Sequence, residues 1–372
     1  MDLILPTITS FIVTILSTPI VIKLAKKYGL VDDPSTRPHP AHVQRRVIPR
    51  AGGMAIYIAI LATSLIFLPL DQKLVGILAG ITLLLIMGLL DDKLKEFNPY
   101  KRLTLLFLAA LIAVGSGIGV PFINNPFLGL PFLPPPFNDS LLRLDQIVLS
   151  FEMLGPHQII LLADIFAILW IVTLTQVINW SKGVDGQMPG ITLVAALVLG
   201  LISLKFYFQG DSSQLNNAKL AFLVAGTSAG FLIFNWYPSK IMPAFSGSTI
   251  LAFMLATLSI LSTAKVATAI LVLAVPMADF VYTFFRRILS GRSPVWNDRG
   301  HLHHRLLDLG WSHQKISLFY IFGSAMFGMV ALLVSTESKF FVIISVAAIF
   351  LGFIIWLNSL GGLSKPHGPN NG

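Results

Sequence analysis

Long apolar runs alternate with short polar connections along the whole chain. Stretches dominated by Leu, Ile, Val, Phe and Ala fall at 3–24, 51–70, 74–90, 103–121, 158–180, 188–208, 219–235, 248–263, 264–284, 315–334 and 339–358. Most approach the ~20 residues that a helix needs to cross a bilayer's hydrocarbon. The pattern predicts an all-α, polytopic membrane bundle of about eleven transmembrane helices. It forms one integral membrane domain over 1–358, with a disordered tail at 359–372. The third and seventh runs are short, and the eighth and ninth meet almost without a loop at Ser262-Thr263-Ala264-Lys265. The first run lacks a basic leader and a small-residue cleavage site, so it reads as a retained helix and not a signal peptide.

One connection is long, 121–157. It opens "PFINNPFLGLPFLPPPF", with Pro-Phe at 121, 126, 131 and 136. So many prolines forbid a continuous helix, and the phenylalanines suit the lipid headgroup level. The following "LLRLDQIVLS" partly alternates and predicts a small hairpin. The segment reads as an interfacial cap on the outer face.

Composition agrees. Charged residues make up 12% of the chain, against about 25% in soluble domains, and the mean hydropathy is +0.79. No cysteine is present, which excludes disulfides and thiolate metal sites. A formal charge of +9 raises nucleic acid as a partner. Assigning connections alternately to the two faces answers this: one face holds 20 Lys and Arg and the other six. Basic residues hold membrane loops on the cytoplasmic side. The charge therefore orients the chain, N-terminus outside and C-terminus cytoplasmic in the cytoplasmic membrane, and no nucleic acid is needed.

The unusual polar residues all lie on that basic face, in connections 23–50, 91–102, 181–187, 236–247 and 285–314. Asp91 and Asp92 end a helix, where acidic groups oppose the macrodipole by ~0.3–1 kcal/mol each. They read either as a solvated end beside Lys93 and Lys95, or as a carboxylate pair acting as base or cation ligands. Asp185 stands between Gly183-Val184 and Gly186 and is either a turn former or a functional carboxylate. Asp279 lies within the ninth run and should face the bundle interior, as a partner for Arg286 or Arg287 or in a functional role. Asp164 faces the same choice. In "DRGHLHHRLLDLG" (298–310), a helix from Gly300 places Leu302, Leu306 and Leu309 on one stripe and His301, His304, Arg305 and Asp308 opposite. Histidines there can donate to phosphate, move protons or bind metal, or merely touch headgroups. Clustered basic residues, histidines and carboxylates at the inner surface suit a lipid-linked phosphate meeting a nucleotide sugar.

The blocks "IPRAGG" (48–53), "LLDDK" (89–93), "NWSKGVDG" (179–186), "FNWYP" (234–238) and "RRILSGRSPVWNDRGHLHHRL" (286–306) occur in an order that resembles the polyprenyl-phosphate sugar-1-phosphate transferases. These are the WecA, TagO and MraY superfamily, glycosyltransferase family 4, and the His-x-His-His pattern is nearer the WecA/TagO branch. The resemblance implies transfer of a sugar-1-phosphate, N-acetylglucosamine by default, from a UDP-sugar to polyprenyl phosphate. UMP is released, Mg²⁺ (or Mn²⁺) is the cofactor, and the product starts cell-envelope glycan synthesis. It implies catalytic or metal-binding roles for Asp91, Asp92 and Asp185. It puts Arg50, Asn179, Lys182, Arg299, His301, His303, His304 and Arg305 against substrate. Membrane lipid is a further partner, and homodimerisation is left open.

Two positions depart from the family pattern. The first Asp of its Asp-Gly-x-Asp-Gly motif is Lys182 here. Its Gly-Asp-x-Gly-Ser, whose Asp ligates magnesium, reads Ala244-Phe245-Ser246-Gly247-Ser248. Either Lys182 neutralises diphosphate charge in place of a metal, or the metal moves towards Asp91, Asp92 and Asp185. The alternatives are a non-catalytic relative that binds a nucleotide sugar or lipid phosphate, and a transporter of lipid-linked anions. The latter would be signalled by Asp164 and Asp279 lining a cavity to the outer face.

Overall fold

The computed structural model describes residues 2–35, 46–94, 98–125, 141–152, 156–262, 265–293, 299–335 and 338–360. Most of the Pro-Phe repeat, much of the first basic connection and the tail from 361 lie outside them. Helices carry the fold: α1 (Ile4–Lys27), α2 (Gly52–Phe67), α3 (Gln72–Lys93), α4 (Pro99–Gly115), α5 (Leu161–Trp180), α6 (Gln187–Phe208), α7 (Gln214–Asn235), α8 (Ala244–Leu261), α9 (Lys265–Val272), α10 (Ala274–Leu289), α11 (Leu302–Asp308), α12 (His313–Leu333) and α13 (Lys339–Leu360). This is a polytopic all-α membrane protein.

Every predicted run has a helix, but not every helix is a full span. Among the described residues eight are long and apolar enough to cross a membrane, or nine if α9 and α10 form one broken span, because they meet at 91°. The ninth run is thus two helices. The second run stops early: Leu68, before Pro69, is extended and ends α2 at 16 residues. That length rises only about 24 Å, short of the ~30 Å hydrocarbon core. The fourth run turns at Ser116-Gly117 and starts sooner, at Pro99, where the Asn98 side chain accepts from the Tyr100 amide at 2.8 Å. The third and seventh runs, which read as short, are 22-residue helices. Their polar end turns, Asp91-Asp92 and Gln214–Asn217, are helical although they are not apolar.

The predicted hairpin within 141–150 does not form. Its halves pair elsewhere: β4 (Leu141–Arg143) with β3 (Phe122–Asn124), and β5 (Val148–Glu152) with β6 (Pro156–Ile160), both antiparallel. A third pair, β1 (Val31–Asp32) with β2 (Ile48–Pro49), closes the first basic connection and sets where Arg50 emerges.

The α8 helix is the axis of the bundle. It packs against α2, α3, α5, α6, α7 and α9, and every residue from Ala244 to Ser259 is buried. An apolar stripe cannot explain a helix buried on all sides; only a position inside the bundle does. Its N-terminus is where the basic-face connections meet.

Candidate functional site

The site is built on the first turn of α8. Two successive residues of a helix point ~100° apart, so Asp91 and Asp92 leave α3 in different directions. Asp92 reaches the start of α8. Its Oδ1 accepts from the Phe245 amide at 2.9 Å, and its Oδ2 from the Ser246 amide at 3.3 Å and the Ser246 hydroxyl at 2.7 Å. The Arg50 guanidinium lies 3.6 Å from Oδ1 and also donates to Asp32 at 3.1 Å. Gly88, one turn earlier on α3, permits this approach: a Cβ there would sit 2.5 Å from the Ser246 Cα. Asp92 therefore opposes the dipole of its own helix but sits at the favourable positive end of α8. Asp91 turns to α4, where Arg102 Nε donates to its Oδ1 at 2.6 Å.

Lys182 fills the space beside that turn. Its amine donates to Asn179 Oδ1 at 2.8 Å, Ser248 Oγ at 3.1 Å and the Ala244 carbonyl at 3.2 Å. It stands 5.4 Å from the centroid of the Phe245 ring, and Arg102 stands equally far from the same ring. Burial pushes the Lys182 amine down to about 7; Asp92 and Asp91 oppose that shift, and Arg102 and Arg50 add to it.

Ala244 holds φ +53°, a left-handed conformation costing an L-residue ~1–2 kcal/mol. Ala244→Gly is expected to raise stability by about 1 kcal/mol. Thermal unfolding of the purified variant in detergent checks this, and an unchanged midpoint would count against strain there.

Asp185 lies in the turn between α5 and α6. Its Oδ2 accepts from the Ser239 amide at 3.0 Å and lies 3.8 Å from Arg46, and its carbonyl accepts from Ser317 at 2.6 Å. In the same turn, Gly183 admits the His303 ring, which a Cβ would strike. This contact brings the histidines to the Lys182 turn. His301, His303 and His304 are all buried, and the rings of His301 and His303 stack with centroids 5.5 Å apart. Burial holds His303 well below the usual imidazole range, with the charges of His304 and His301 acting the same way.

Asp279 on α10 organises the cluster. Its Oδ1 accepts from the Leu302 amide at 2.7 Å, and its Oδ2 faces His301 Nδ1 at 3.0 Å. On the other side of that ring, Arg287 Nη2 lies 3.3 Å from His301 Nε2. A guanidinium can only donate and an ionised carboxylate only accept. The pair fixes the tautomer: hydrogen on Nδ1, lone pair on Nε2. Asp279 is thus a partner of His301 and not of Arg286 or Arg287; Arg287 lies on the Trp180 ring at 4.7 Å.

The two-stripe reading of α11 needs correction. Leu302 and Leu306 are buried but Leu309 is exposed. The polar residues separate as well. His304 goes inside, Arg305 lies over Tyr282 at 4.8 Å, and Asp308 pairs with Arg299 at 3.4 Å where both side chains are 50% exposed. Arg299 is not brought into the site. Asp164 caps its own helix, accepting from the Ile160 amide at 2.9 Å in the first turn of α5, at the opposite end from Asn179. With Asp279 committed to His301, the transporter reading loses both of its marker residues.

Asp91, Asp92 and Asp185 do not make a cage for a divalent cation. Each has an arginine beside it, and Asp92 has both oxygens engaged by α8. Among the described residues no three His, Asp or Glu side chains group to hold a metal ion. The donor set does not fit Mg²⁺, which prefers near-octahedral oxygens including carboxylate.

Arg46, Arg102 and Ser248 were not expected at the site from the sequence, and Arg287 was expected only as a partner for Asp279. No local spacing marks them, because each meets its partner across a loop or between helices.

A model of glycosyl transferase family 4 matches residues 74–263, from α3 to the end of α8. The chain belongs to glycosyl transferase family 4. It is 29% identical over 324 residues to a probable undecaprenyl-phosphate N-acetylglucosaminyl 1-phosphate transferase of Bacillus subtilis (strain 168), covering 85% of this chain and 80% of that protein. It is 27% identical over 387 residues to a decaprenyl-phosphate N-acetylglucosaminephosphotransferase of Mycobacterium tuberculosis (strain ATCC 25618 / H37Rv), covering 95% and 87%. To an undecaprenyl-phosphate alpha-N-acetylglucosaminyl 1-phosphate transferase of Escherichia coli (strain K12) it is 26% identical over 340 residues, covering 88% and 82%. The span matched by the family 4 model holds Asp91, Asp92, Asn179, Lys182, Asp185 and Phe245, while this family 4 protein's histidine helix lies beyond it.

Proposed function

We propose that this family 4 protein transfers N-acetylglucosamine-1-phosphate, or a similar N-acetylhexosamine-1-phosphate, from a UDP-sugar to polyprenyl phosphate at the cytoplasmic membrane surface. The names of its relatives support the carrier and the sugar. The observation that carries the reading is the meeting, at the α8 N-terminus, of Arg50, Arg102 and Lys182 with the Gly183 turn that seats the histidines. In the step, an oxygen of the lipid phosphate bonds to the phosphorus bearing the sugar. The bond from that phosphorus to the UMP oxygen breaks, and UMP leaves with the electron pair.

Such a step needs positioning and neutralisation of phosphate charge more than covalent chemistry. Arginine suits bidentate grip on phosphate. Asp91 is the carboxylate best placed to orient the acceptor or take its proton, because its Oδ2 makes no hydrogen bond among the described residues. Asp92 is committed to the fold.

The test is UMP release by purified protein in lipid nanodiscs given undecaprenyl phosphate and UDP-N-acetylglucosamine or UDP-N-acetylgalactosamine. Calorimetric binding of donor with no UMP from either sugar would replace the transferase by a binding protein.

A pH dependence follows from Lys182. Its amine carries a proton below about 7 and loses it above, so the cationic form that attracts diphosphate is present on the acid side. Donor KM should rise as pH is raised above about 7, with Lys182→Arg flat through the same window because arginine keeps its proton. An unchanged wild-type KM up to pH 9 would count against this assignment.

A further inference from the structure

The positions that resemble the family's magnesium-binding motif hold a cation of the protein's own. Phe245 stands where a carboxylate ligand would be, and Lys182 replaces a second acid in the adjoining turn. The amine is held on three oxygens, Asn179 Oδ1, Ser248 Oγ and the Ala244 carbonyl, at 2.8–3.2 Å. All three are neutral. This set matches an ammonium, which has three donors and no acceptor. It is poor for Mg²⁺, which wants six oxygens with carboxylates among them. The ring of Phe245 supplies a cation-attracting face where a hydrated ion would need polar ligands. Two carboxylates stand near this position: Asp92 has both oxygens spent on the α8 backbone and Ser246, and Asp91 is already paired with the Arg102 guanidinium.

Resting on the transferase reading, we propose that the Lys182 ammonium takes the place of a divalent cation at the donor diphosphate, so that this protein turns over without metal. Among the described residues no carboxylate touches the amine, so its charge is not cancelled by contact, and its three bonds hold it in position before the substrate arrives. A preorganised charge of this kind stabilises a transition state without reorganisation. The longest of its three bonds, to the Ala244 carbonyl at 3.2 Å, is the one that a phosphate oxygen would displace. Atoms and electrons balance as in the step above: the phosphorus changes its oxygen partner, and Lys182 donates a hydrogen bond to the charge on the departing UMP.

The experiment uses the full chain in nanodiscs, stripped with EDTA, with UMP release and Mn²⁺ electron paramagnetic resonance as separate readouts. The expected result is turnover within about twofold with EDTA or Mg²⁺, and no bound Mn²⁺ in the wild-type spectrum. Lys182→Met should lose about 10²-fold in both conditions, the scale seen when one charge-stabilising donor is removed. The double variant Lys182→Asp/Phe245→Asp should bind one Mn²⁺ and become EDTA-sensitive. A loss of more than tenfold on EDTA treatment of wild type, or one tightly bound Mn²⁺ displaced by UDP-sugar, overturns the proposal and leaves the transferase reading intact. Absence of turnover in every condition removes the transferase reading instead. The Mn²⁺ spectra of wild type and double variant then decide whether Lys182 fills the cation's position. If the double variant does not fold, the wild-type titration alone decides.

Discussion

Asp279→Asn is expected to lower the rate of UMP release by about 10³-fold, within the range for losing a group that sets a histidine's tautomer. The carboxylate accepts from two donors at once, His301 Nδ1 and the Leu302 amide. A carboxamide has one acceptor oxygen and one NH₂. If the oxygen stays on His301, the NH₂ faces the Leu302 amide, donor against donor, and the start of α11 loosens. If it turns to Leu302, the NH₂ faces Nδ1 and forces the ring hydrogen to Nε2, against Arg287. The first arrangement loosens the segment that positions the imidazole, and the second changes the atoms that it presents. Asp279 acts through His301 and is a positioning residue, so the decisive measurement is a double-mutant cycle. Asp279→Asn should cost little more in a His301→Ala background. Full additivity, or a fall in thermal stability with kcat unchanged, would make Asp279 a packing residue only.

Asp92→Ala should act mainly on stability, lowering it by about 3 kcal/mol or more, the scale for removing one partner of a buried charged network. It leaves the Phe245 and Ser246 amides at the start of α8 without their acceptor and takes one carboxylate from Arg50. Unmet buried donors cost about 1–3 kcal/mol each, and the charge at the helix terminus contributes a further ~0.3–1 kcal/mol. Asp92→Asn keeps one acceptor and should fall between wild type and alanine. Asp91→Asn, by contrast, should spare the unfolding midpoint and lower kcat. Thermal unfolding in detergent beside UMP release separates the two aspartates. An Asp92→Ala protein with a wild-type midpoint and no turnover would return Asp92 to the chemistry.

The contrast between these two acids shows what a sequence leaves open. Adjacent aspartates at a helix end look alike in one dimension. Their difference arises because α8 begins beside one of them and Arg102 stands beside the other. The histidine stretch is similar. Its density marked residues that the fold buries together, but helical periodicity placed Leu309 with the buried face and Arg305 and Asp308 with the histidines. A seven-residue helix wedged between α10 and the Gly183 turn does not divide into two clean faces. Asp279 stands out in the sequence as an ionisable group within an apolar run, yet its near neighbours along the chain are not its partners, since His301 lies 22 residues away and across the bundle.

The sequence by itself determined the membrane character, the helical class, the placement of most helices and which polar residues are candidates for a site. These follow from run length, charge asymmetry and residue type, which are properties of short windows. Only the tertiary structure decided which carboxylate is a helix anchor, which tautomer His301 holds, where the ninth run breaks and that Lys182 rests on neutral oxygens over Phe245. Those depend on pairs distant along the chain, and a buried polar group takes its role from whatever donor or acceptor packing brings against it.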